Sequence, residues 1–208
     1  MDLSTFVRGL VLGFCIAAPV GPIGVLCIRR TLSDGRAAGL ATGLGAATAD
    51  AAYGCVAAFG LTAVSSALVA HQSWFRLAGG AFLCVLGVRT LLAGPPAASE
   101  PGGASPARTA LAAAWASTFL LTLSNPMTIL SFAAAFAGLG AGPRAGYGGA
   151  TLLVVGVYLG SAAWWLLLSG GVAVFRGRSG ARAMRAIRVA SGALIAAFGA
   201  VALWGVAR

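Results

Sequence analysis

Lysine is absent from this 208-residue chain, carboxylates number only four, and histidine occurs once. Charged residues make up 9% of the sequence, against 59% hydrophobic residues and a mean hydropathy of +0.93. A soluble domain carries roughly 45–50% apolar residues and about 25% charged ones, so a soluble fold is excluded and an integral membrane protein is implied. With so few acids and a single histidine, His71, neither a metal centre nor a Ser-His catalytic triad is supported, and no cofactor is expected. The four cysteines, Cys15, Cys27, Cys55 and Cys84, form no CxxC pair and all fall within apolar segments, where they read as small apolar residues.

The apolar residues that dominate come in runs of about 20, the length of a membrane-spanning helix, and not in the alternating segments of about 10 that mark a barrel. Six spans are expected, near residues 10–28, 38–64, 74–92, 109–139, 148–174 and 189–206. The N-terminus has no basic region before its first apolar run, so the first segment is expected to be a retained span. Residues 94–108, rich in Pro and Gly, form a linker between a first triplet (1–93) and a second (109–208).

All fourteen basic residues are arginine, and the net charge of +10 concentrates in the loops after spans one, three and five. The positive-inside rule places these loops in the cytoplasm and both termini on the periplasmic or extracellular side of a bacterial inner membrane. Arginines spread over short loops do not form a nucleic-acid surface; the stretch from Arg176 to Arg188 is an interfacial anchor beside anionic lipid. Triplets with an odd number of spans lie in opposite directions, and Pro22-x3-Leu26 has a counterpart in Pro126-x3-Leu130. The fold class expected is therefore all-α membrane, two inverted three-helix repeats with helices 1 and 4 broken.

Three places inside the spans are costly in lipid. Asp50 is the one carboxylate within a span, and a charge at that depth costs on the order of 2.5–3.5 kcal/mol on insertion scales. Such a group suits the alternate binding of a proton and a substrate ammonium; a carboxyl merely bonded to Ser, Thr or Tyr hydroxyls is the structural alternative. Gly39, Gly43, Ala46, Asp50 and Gly54 share one helix face, which lets another helix approach closely and turns Asp50 into the bundle. Pro19-Val20-Gly21-Pro22 interrupts span one, and Ser124-Asn125-Pro126 interrupts span four with a favoured N-cap and a Pro at the first helical position. Each break starts a half-helix whose amides can meet an anion, with a packing kink as the plainer reading. Thr122 and Thr128 add hydroxyls nearby, Tyr53 and Tyr158 could line a cavity, and Trp115, Trp164, Trp165 and Trp204 read as packing or interface anchors.

Three segments in order carry a family resemblance. They are Pro19-Val20-Gly21-Pro22 with Arg30-x4-Gly35-x3-Gly39-x3-Gly43-x-Gly45-x4-Asp50; Leu77-x-Gly79-Gly80-x2-Leu83-x3-Gly87-x-Arg89; and Asn125-Pro126-Met127-Thr128-Ile129-Leu130. The chain resembles the LysE/RhtB-type amino-acid exporters of the lysine exporter superfamily. The resemblance implies a six-span exporter of amino acids or related metabolites, driven by the proton motive force, with matching positions at Pro19, Gly21, Pro22, Asp50, Asn125 and Pro126. Its partners would be a small-molecule substrate, a proton and the lipid bilayer, with no nucleic acid, and a homo-oligomer stays open. Many relatives have Lys where this chain has Met127, which removes a charged partner from the site. A metal-ion exporter would need clustered ligands beyond one Asp. A thiol-redox carrier would need cysteines at equivalent places in both halves, and Cys15 faces Phe119 at that offset.

Overall fold

The computed structural model describes residues 3–19, 21–59, 70–92, 108–125, 128, 131–132, 146–176 and 181–205. Seven helices occur among them: α1 (Leu3–Ala17), α2 (Pro22–Asp34), α3 (Arg36–Ala58), α4 (Gln72–Leu92), α5 (Arg108–Leu123), α6 (Gly146–Arg176) and α7 (Ala181–Trp204). Among the described residues three segments are long and apolar enough to cross a membrane, Ser73–Leu92, Tyr147–Phe175 and Arg185–Trp204. The pair α1 and α2, bent by 80° at its break, makes a fourth when counted as one span. The protein is a multi-pass membrane protein of helices. The linker expected at 94–108 lies outside the described residues except for Arg108, which opens α5.

Helix ends differ from the sequence expectation where arginine was read as loop. α2 continues through Arg29 and Arg30 to Asp34, and the turn after it shrinks to Gly35, whose φ of 100° and ψ of 169° belong to a region open essentially to glycine alone. α7 likewise begins at Ala181 and takes Arg182, Arg185 and Arg188 into its first turns. Arginine's long stem lets a helix run past the apolar boundary while the charged head reaches polar surroundings.

The helices pack in pairs: α1 against α6, α3 against both α6 and α5, α4 against α7, with α2 laid across α3, α6 and α7. The α1–α6 seam is made by glycine. A β-carbon on Gly9 or Gly13 would run into the carbonyls of Leu153 and Val157, and one on Gly156 or Gly160 would run into those of Phe6 and Leu10. Lipid offers no hydrophobic drive to helix association, so close backbone approach of this kind is what holds such pairs. Phe14 meets Trp164 edge-on across the same seam, with centroids 5.4 Å apart. Large apolar side chains such as Leu120, Leu167, Val174 and Val201 face outward, while Thr31, Thr42, Thr118, Thr122 and Ser169 are buried and return their hydroxyls to the carbonyl one turn back.

Candidate substrate cavity

Both expected breaks lie against one cavity. α1 ends at Ala17, with the Ala18 amide still bonded to the Phe14 carbonyl at 3.0 Å, and α2 starts afresh at Pro22 in its first position. Gly21 is the N-cap, extended at φ −105°, and its carbonyl accepts from the Val25 amide at 3.1 Å. Glycine brings no side chain to cap the first turn, so α2 presents an uncapped positive end where Ile23 and Gly24 line the cavity.

Across the cavity α5 ends at Leu123. The Asn125 amide bonds the Thr122 carbonyl at 3.1 Å in a tightened last turn, and the Asn125 carbonyl accepts from the Thr128 amide at 3.1 Å. Asn125 thus takes part in both bonds through its backbone, and its expected role as the cap of a helix opening at Pro126 falls on residues outside the described ones. Pro126 lies outside the described residues. The carbonyl of Leu123, left over at the helix end, accepts the Tyr53 hydroxyl at 2.5 Å, and Tyr53 stacks on Phe132 with centroids 5.7 Å apart. Tyr53 supports the break from behind and is not among the cavity-lining residues.

Asp50 projects from α3 into the same cavity and is 3% exposed. Ser161 Oγ of α6 donates to its Oδ2 at 2.7 Å, and Trp165 Nε1, one turn further along α6, donates to Ser161 Oγ at 3.2 Å. The indole therefore aims the hydroxyl: with its lone pair taken by Trp165, Ser161 turns its proton toward the carboxyl. Trp165 fits because Gly43 has no side chain; a β-carbon there would overlap the Trp165 β-carbon.

Five of the six expected residues, Pro19, Gly21, Pro22, Asp50 and Asn125, line one cavity of about 60 Å³, tighter than an open small-molecule site. Thr122 and Thr128 join them, while Ile16, Ala17, Ile23 and Ala46 supply apolar wall. The glycine face of α3 does what its spacing implies, with Gly39 against Thr31, Gly43 against Trp165 and Ala46 on the wall. Sequence reasoning missed Ser161 and the place of Trp165. One serine among many small residues carries no mark, and of the neighbours Trp164 and Trp165 only the rotation of α6 decides which faces inward.

An acidic group, an uncapped helix end and apolar walls are buried together among helices apolar enough to cross a membrane. Ionisable groups inside a membrane bundle mark substrate and ion paths, the sign of membrane transport. The model of the LysE type translocator family matches residues 14–205, and the chain belongs to that family; it is a transporter and not an enzyme. It is 27% identical over 201 residues, 95% of its own length and 94% of the other's, to a protein of Bacillus subtilis (strain 168) called "Putative amino acid efflux protein YcgF". No solved structure matches the chain.

Proposed function

We propose that the protein exports amino acids or closely related metabolites across the bacterial inner membrane, exchanging each against a proton at Asp50. The observation that carries this reading is the position of Asp50, a buried carboxyl on the wall of a cavity bounded by both helix breaks. The substrate carboxylate meets the amides at the start of α2 and the polar groups around Asn125 and Pro126; its ammonium meets Asp50. The name of the Bacillus subtilis relative points to the same substrate class. The proton route follows from having one acid do two things in turn, since substrate ammonium and proton compete for the same oxygens.

The reading includes two inverted triplets, 1–93 and 109–208, joined by a cytoplasmic linker at 94–108. Helix pairing supports it. Exchange of the halves turns the α1–α6 seam into an α5–α3 seam, and both are present, while α3–α6 and α4–α7 map onto themselves. Both termini then lie outside and the arginine-rich turns inside.

Counterflow in proteoliposomes is the test. With Asp50→Asn, labelled amino-acid exchange should fall to background and a pH gradient should no longer drive transport. Undiminished proton-driven export by the Asn variant would sink the role given to Asp50.

A further inference from the structure

Arg30 lies about two turns into α2, past the break. Its guanidinium reaches two other helices. Nη1 donates to Thr42 Oγ1 of α3, and to the Ala114 carbonyl and Thr118 Oγ1 of α5, each at 3.0 Å; Nη2 donates to Ser117 Oγ of α5 at 3.0 Å. All four acceptors are uncharged.

The place of this cluster matters as much as its chemistry. Thr42 stands one turn before Ala46 on α3 and Thr118 one turn before Thr122 on α5, about 6 Å along each axis. Ala46 and Thr122 line the cavity. The guanidinium therefore lies across the cavity's base, on the side where α2 ends and α3 and α5 begin, and ties the first triplet to the second. The opposite side has no equivalent in sequence: the residue eight positions past Pro126, matching Arg30 past Pro22, is Ala134.

We propose that Arg30 is a latch closing the cytosolic side of the cavity, and that the carboxylate of an incoming solute is the ligand that releases it. This rests on the exporter reading for which side is cytosolic. A guanidinium bonded to neutral oxygens is the weaker arrangement; bidentate, charge-assisted bonds to a carboxylate are roughly twice as strong. A carboxylate arriving from the cytosol takes the donors now spent on Ala114, Ser117 and Thr118. α2 is then released from α5, the base of the cavity opens, and the solute moves one turn inward to Asp50. An amine without a carboxylate offers Arg30 nothing and leaves the latch shut.

The test uses Ala46→Cys in the full chain with its four native cysteines replaced, in inside-out vesicles, read by labelling with a membrane-impermeant maleimide. Labelling should be slow in this parent and faster by on the order of tenfold when Arg30→Ala is added, with no solute present. Ser117→Ala with Thr118→Val, which keeps the arginine and removes α5's hydroxyls, should give an intermediate rise and covers failure of the first variant to fold. In the parent, an equimolar mixture of the common L-amino acids should speed labelling, and the corresponding decarboxylated amines should not. Parent-like labelling in both variants overturns the latch; amines matching the amino acids, or no rise with the amino acids, overturns the carboxylate's part in it. The solute-free arm needs no transport, so loss of counterflow with the latch intact counts against the exporter reading alone.

Discussion

Ser161 Oγ donates to Asp50 Oδ2 at 2.7 Å, joining α6 to the one carboxyl on α3. A hydrogen bond to a charged group contributes about 1.5–3 kcal/mol, and this one also fixes which oxygen remains for a ligand. Ser161→Ala should slow proteoliposome counterflow by roughly tenfold or more, with Ser161→Thr keeping most of the rate. Trp165→Phe should fall between them, because the hydroxyl stays but loses the group that aims it.

Tyr53→Phe deletes the partner of the Leu123 carbonyl without changing the stack on Phe132. A buried acceptor left unmade costs about 1–3 kcal/mol. The midpoint of thermal unfolding in detergent should drop, and transport should weaken more than for a lipid-facing change such as Leu167→Ala.

Gly160→Leu should open the α1–α6 seam, since its site touches the Leu10 carbonyl and the Phe14 amide, whereas Gly170 has nothing within 4 Å. Overpacking costs typically about 1–3 kcal/mol, so the folded fraction by size-exclusion chromatography should fall. Gly170→Ala should be neutral or gain up to about 1 kcal/mol from helix propensity.

Gly35→Ala places a side chain at φ 100°, ψ 169° between α2 and α3. The strain is on the order of 1–3 kcal/mol, and thermal stability should fall with no change in the apparent affinity for substrate.

Reporter fusions check the orientation. Alkaline phosphatase joined after residue 208 should be active, and joined within 94–108 it should be inactive; the reverse pattern would invert the assignment of sides.

The breaks were legible because Pro and Asn have few uses inside an apolar run, and the inward burial of Asp50 was legible because a carboxyl facing lipid is costly. The partners of Asp50 were not. Ser161 looks like any of the serines and threonines that fold back on their own helix, and only the packing of α6 on α3 sets it apart. In the sequence Arg30 reads as loop because charge usually ends a span; helix α2 carries it onward because hydroxyls and a carbonyl of two neighbours receive it. The chain states which residues are unusual, and contacts over 80 or more positions, as from Arg30 to α5, state what surrounds them.

The glycine faces of α1 and α6 bring each backbone against the other's carbonyls, with Phe14 and Trp164 meeting beside them. α1 carries the near edge of the cavity at Ile16 and Ala17, and α6 carries Ser161, the donor to Asp50. One seam thus sets the spacing between the cavity's rim and the group that orients its acid, so a methyl added to any of these glycines would be felt at both.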